Sequence, residues 1–245
     1  ITLDLNGHTV EKASDGWTAD TSIDYLLAVK RGGNLTIEDS VGTGVIDAED
    51  LVCGVKMTVK GEPETGDDAV LTVNGGTIQG KYYGISGNGT RHGTTITINS
   101  GTITATDEAG TAIYHPQDGS LTVNGGEIKS FNTAIEIRSG TLTVTGGTIT
   151  GGSGEPTSTT NGGGTTTSNA AVAIAQHTTK KPITVNIEGG TLKGGAALYE
   201  SDPNNIYETD TSATKPAIEV TGGTFEGEVS SKNVNGFISG GTFTG

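Results

Sequence analysis

An eight-residue phrase recurs along this chain: apolar, polar, apolar, Asn or a similar residue, Gly-Gly, Thr, apolar. It reads Leu71-Thr72-Val73-Asn74-Gly75-Gly76-Thr77-Ile78, then Ile96-Thr97-Ile98-Asn99-Ser100-Gly101-Thr102-Ile103, then Leu121-Thr122-Val123-Asn124-Gly125-Gly126-Glu127-Ile128. Further copies begin at Leu142, Val185 and Ile218, and a shortened one runs from Ile238 to Phe243. The second glycine falls at 76, 101, 126, 147, 190, 223 and 241, in steps of 25, 25, 21, 43, 33 and 18 residues. A unit this small cannot bury an apolar face alone, so copies must stack on one another.

The phrase also predicts local structure. Leu-Thr-Val alternates with period two, which makes a strand with Leu and Val inward and Thr outward. Asn-Gly-Gly tolerates positive φ and supplies a sharp corner, and Thr-Ile opens a second short strand. A third element follows each copy, marked by small-small-apolar triplets. These are Tyr83-Gly84-Ile85, Thr111-Ala112-Ile113, Thr133-Ala134-Ile135, Val172-Ala173-Ile174 and Ala196-Ala197-Leu198, preceded by Leu27-Ala28-Val29 and Cys53-Gly54-Val55. Three strands per turn with stacked Leu, Val and Ile columns predict an all-β, single-stranded right-handed parallel β-helix. It would span 1–245 as one domain of roughly nine rungs, about 40 Å long at the usual strand spacing. Flexible insertions are expected near 60–69, 151–170 and 201–216. The chain opens within one strand and stops within a repeat, as expected of a segment of a larger protein.

Composition narrows function by exclusion. The 245 residues include 41 Gly and only 4% aromatics, which suits thin cores and frequent turns. A formal net charge of −14 repels phosphate backbones and anionic lipid surfaces. Nucleic acid is therefore excluded as a partner, and no apolar run is long enough for this segment to insert in a membrane. The lone Cys53 sits in the apolar run Val52–Val55 and reads as a small buried hydrophobe.

The opening Ile1-Thr2-Leu3-Asp4-Leu5-Asn6-Gly7-His8-Thr9-Val10, with the recurrent Gly-Gly-Thr-Ile/Phe phrases, resembles the pectin-lyase-like β-helix repeats of large Gram-positive bacterial surface proteins. That resemblance spans essentially the whole chain. It implies an extracellular, secreted or wall-attached setting and the role of an adhesin or carbohydrate-associated module.

Enzymes of this fold cleave acidic polysaccharides, and their parts are not assembled here. Asp67-Asp68 lies in a Gly/Glu-rich insertion, and Arg91-His92-Gly93 lacks the Arg-Ile-Lys motif that accompanies a catalytic His-Gly in hydrolytic relatives. Glycoside hydrolysis needs two well-placed carboxylates, and none pair convincingly. No catalytic residue is assigned. Lyases of this fold use calcium, which needs six to eight converging oxygens. Asp202, Glu208 and Asp210 share one insertion and are the candidate ligands, without the spacing of a known loop. His8 and the other isolated histidines lack metal-ligand partners.

Aligning the third-strand triplets places Lys30, Lys56, Ser86, Tyr114, Glu136, Ala175 and Tyr199 in one outward column. Asn88, Pro116, Arg138, His177 and Ser201 fall two residues further on. Tyr114, Glu136, Arg138, His177 and Tyr199 are the candidate glycan-binding residues, because rings and hydrogen-bonding groups at regular spacing suit an extended sugar chain. The bland alternative makes the tyrosines packing residues and Glu136–Arg138 a surface pair. Thr36, Thr72, Thr97, Thr122 and Thr143 form an outward ladder like that of ice-binding repeats. It lapses at Asn186 and Glu219, and β-propensity explains it more simply.

Overall fold

The computed structural model describes residues 1–13, 24–59, 66–90 and 93–244. Strands β1 (Thr2–Asp4), β2 (Thr9–Glu11) and β3 (Tyr25–Val29) make a first rung, and β4 (Asn34–Glu38), β5 (Val45–Ala48) and β6 (Cys53–Met57) a second. In the third, β7 (Ala69–Gly80) bends through two sides and β8 (Tyr83–Ser86) forms the last. β9 (Thr94–Ala105) and β10 (Thr111–His115) repeat that plan, and β11 (Gly119–Val123), β12 (Glu127–Lys129) and β13 (Thr133–Ile137) make the fifth rung. The sixth has β14 (Gly140–Val144), β15 (Thr148–Thr150) and β18 (Ala170–Ala175), interrupted by a hairpin of β16 (Thr157–Asn161) and β17 (Gly164–Ser168). β19 (Ile183–Ile187) and β20 (Thr191–Ser201) follow, then the short helix α1 (Ile206–Thr209), β21 (Ala217–Val220), β22 (Thr224–Ser231) and β23 (Thr242–Thr244).

Every strand but β16 and β17 belongs to one sheet, and each pairs in parallel with its counterpart one rung on. Three sides result. Side A begins at β1 and β4, side B at β2 and β5, and side C at β3 and β6. Interior columns follow the expected register: Val73 lies against Ile98, Ile98 against Val123 and Val123 against Val144, all fully buried. Burying each such side chain stabilises by about 1.5–3 kcal/mol.

The A–B corner explains the double glycine. The second glycine of every phrase has φ between 74° and 111°, a region other residues enter at a cost. A Cβ at Gly101 or Gly126 would also come within 2.6 Å of a carbonyl oxygen one rung below. The preceding asparagines bond from rung to rung, as expected. Asn99 donates to Asn74 at 2.8 Å, Asn124 to Asn99 at 2.9 Å, and Thr145 closes the series on Asn124 at 2.9 Å. The threonine ladder is in register too, with Thr2, Thr36, Thr72, Thr97, Thr122 and Thr143 aligned before Asn186 and Glu219 take the position.

The 151–170 insertion carries an antiparallel hairpin in which Thr157 faces Ser168 and Asn161 faces Gly164. One expectation needs correction. On side C, two strands sit two residues away from the expected alignment. Ile135 pairs with Val172 and Val55 with Leu27, so Ala173 and Ala28 occupy the column expected for Ala175 and Lys30. A two-residue slip leaves every side chain on its expected face, so alternation alone cannot detect it. Of the other insertions, 60–65 lies outside the described residues, and 201–216 carries α1.

Candidate functional site

The candidate residues gather on side C of rungs 3–7, where the outward column runs Ser86, Tyr114, Glu136, Ala173, Tyr199. This column is not an open face. The β16–β17 hairpin leaves the B–C corner and crosses side C as a strap to the opposite corner. There Gly164 bridges to His177, Thr165 N–H donates to the Gln176 carbonyl and Thr178 N–H to the Gly163 carbonyl. Below it, Thr133 Oγ1 donates to the Thr167 carbonyl at 2.6 Å. On the far side, Asn204 Nδ2 donates to Thr160 Oγ1 at 2.9 Å.

Glu136 and Arg138 lie under the strap, 3% and 2% exposed, rather than forming a surface pair. Arg138 Nη1 donates to the Tyr114 hydroxyl at 2.9 Å and Nη2 to the carbonyl of Gly163 at the hairpin turn. Its guanidinium also stands 5.6 Å from the Tyr114 ring centroid, a cation–π arrangement. Glu136 faces Thr166 and Thr167 of the strap, and burial holds its carboxyl above the usual range against the pull of Arg138 and of these strap residues. Tyr83 stacks at a tilt against Tyr114 with centroids 5.5 Å apart. Burial pushes Tyr114 up to about 12, although Arg138 opposes the shift.

His177 sits beside this cluster rather than in the column, since Ser201 pairs with Ala175. Its Nδ1 accepts the Thr179 N–H at 3.1 Å, and its ring packs where a Cβ at Gly89 would fall. Burial, then repulsion from Arg138 and Lys181, lowers it to about 4. Tyr199 is half-buried against Ala170, Ala173 and Ala196. The structure therefore brings Tyr114, Glu136, Arg138 and His177 together with Tyr83, and leaves Tyr199 in a separate packing role.

Sequence reasoning did not anticipate His115. It points inward beside Ile137, fully buried, and its Nδ1 lies 3.0 Å from the Ser139 carbonyl. Burial lowers it to about 4. Nor did it anticipate the strap, whose signal was present: Thr-rich runs flank Gly162-Gly163, a hairpin-turn pair. Cys53 is buried as expected and bonded by the Ser86 hydroxyl at 3.2 Å, with burial pushing its thiol up to about 11.

The three acidic candidates do not converge. Asp202 is buried and accepts Ile206 N–H at 2.8 Å, tying down the start of α1. Glu208 pairs with Lys215 at 3.2 Å. Asp210 is held well below the usual carboxylate range by Lys180 and by Ser212. Among the described residues, no three His, Cys, Asp or Glu side chains come together to hold a metal ion. Asp67 and Asp68 are exposed, and Arg91 and His92 lie outside the described residues. No helix among the described residues is long and apolar enough to cross a membrane. Comparison with family models, curated proteins and solved structures gives no match.

Proposed function

We propose that the chain is a right-handed parallel β-helix of the pectin-lyase-like kind, acting as a non-catalytic extracellular module. It would serve as an adhesin or spacer segment of a Gram-positive surface protein that touches polysaccharide. The three-sided parallel register and the glycine-cornered repeat support the winding. The observation that carries the non-catalytic reading is what Arg138 and Glu136 are used for. Both are sealed under the strap, Arg138 donating to the Gly163 carbonyl at its turn and Glu136 facing Thr166 and Thr167, so this cluster of acid, base and cationic groups acts as a fastening. A glycosidase or lyase needs such groups open to a sugar chain.

The test is a glycan array, run with and without calcium and followed by an assay for new reducing or unsaturated ends. Binding without new ends is the expected result. Cleavage of any bound polymer overturns the reading in favour of a lyase or hydrolase, and silence across the array leaves a purely structural stalk.

A further inference from the structure

A groove of about 380 Å³ opens at the B–C corner, on the opposite side of the strap's root from the buried cluster. It spans three successive rungs. Thr104 and Ala105 come from the fourth, Lys129, Ser130 and Phe131 from the fifth, and Thr150 to Ser153 from the sixth. Its long direction therefore follows the stacking axis.

Folding does not explain Phe131. In a chain with only four Phe, this one is 70% exposed. The backbone around it is instead firmly tied: Ser130 Oγ donates to the Gly110 carbonyl at 2.6 Å and Asn132 Nδ2 to the Ala109 carbonyl at 3.1 Å. A ring displayed on a fixed corner, above a floor of Ala105, Gly151 and Gly152, forms an apolar platform. Thr104, Thr150 and Ser153 place hydroxyls around it, while Lys129 is engaged at 2.6 Å by Glu127. Two rungs earlier at the same corner, about 9.6 Å away by strand spacing, Tyr82 is 37% exposed with Lys81 over its ring.

We infer that this groove binds an uncharged polysaccharide lying along the stack, one pyranose ring seated on Phe131 and the chain running towards Tyr82. The inference rests on the polysaccharide-binding reading above and moves the contact from side C to this corner. A pyranose offers a C–H face to an aromatic ring and a rim of hydroxyls to Thr and Ser. Two rungs match the length of a disaccharide unit. The only cation in the lining is already paired, and the chain's charge of −14 repels anionic polymers, so a neutral glycan is the complementary occupant.

The test titrates the whole chain with neutral hexasaccharides of β-1,4-glucose, β-1,4-mannose and β-1,3-glucose, alongside oligogalacturonate. Phe131→Ala, Ser153→Trp and Tyr114→Phe variants are compared. The expected result is that a neutral oligosaccharide binds wild type and Tyr114→Phe alike, with affinity lowered roughly tenfold or more by Phe131→Ala and by filling the groove in Ser153→Trp. Both groove positions are exposed, so the variants should keep their fold, checked by circular dichroism. Binding that survives both groove variants overturns this site but leaves the broader reading standing. Binding to oligogalacturonate alone overturns the choice of a neutral ligand. Silence of the wild type towards every sugar overturns both.

Discussion

On side A, each rung offers its neighbour a copy of the same residue. Thr72 meets Thr97, then Thr122 and Thr143, while Val or Ile fills the column behind. On side C of the same rungs, no two neighbours in the outward column match, and Ser86, Tyr114, Glu136, Ala173 and Tyr199 follow one another. Side A needs nothing beyond its ladder. Side C buries an arginine and a glutamate, and a strap from outside the ladder covers both. Repetition makes stacking self-sufficient, whereas irregularity must be compensated by added chain.

The strongest way to break the regular side is Val123→Asp. A carboxylate in that fully buried column has no partner, a cost of several kcal/mol. We expect loss of the cooperative thermal transition or a fall in Tm above about 15 °C. An unchanged Tm would refute the register.

The irregular side is tested by Arg138→Met, which keeps much of the side-chain volume but removes the bonds to Tyr114 and Gly163. The strap should lose about 3 kcal/mol of protection, read as faster hydrogen exchange at Thr165 and Thr178. The side A amides of β11 and β14 should be unaffected. Equal acceleration on both sides would mean that the strap does not open independently.

The smallest effect is one of pH. His115 has a folded value of about 4 against an ordinary 6.5, so the unfolded chain binds the extra proton first. Its contribution is complete above pH 6.5 and is lost as pH falls towards 4, about 2 kcal/mol being gone by pH 5. His177 acts in the same direction, and Glu136, with its raised value, in the opposite one. The informative quantity is therefore the difference between wild type and His115→Leu in denaturant midpoints at pH 7 and pH 5. The variant should show the flatter profile, and parallel profiles would exclude His115 as the source.

The contrast between the sides also explains what the sequence made legible. Alternating Leu-Thr-Val and the positive-φ glycine recur, so they announce both the strand faces and the A–B corner down to the asparagine ladder. Side C carries no such punctuation. Within Ala170-Ala171-Val172-Ala173-Ile174-Ala175, two registers satisfy the same alternation, and only packing of Val172 on Ile135 chooses between them. The burial of Glu136 and Arg138 was illegible for a different reason. Nothing next to them in sequence covers them, and their cover lies in a Thr/Gly tract that looks like a linker. Phe131 was missed because a corner residue has no periodicity to betray its exposure.

The strap has a mechanical consequence. Hydrogen bonds between paired strands join each rung to the next, so tension applied to the two ends should load the outermost rungs first. Such a stack is expected to give way rung by rung from its ends. The strap interrupts that sequence. Its bonds to Thr133, Arg138, Gln176, Ser201 and Asn204 clasp the fifth, sixth and seventh coils into one block. Stretching should then give small, even extensions from either end and one larger release from the middle, the signature of a tether with a built-in stop.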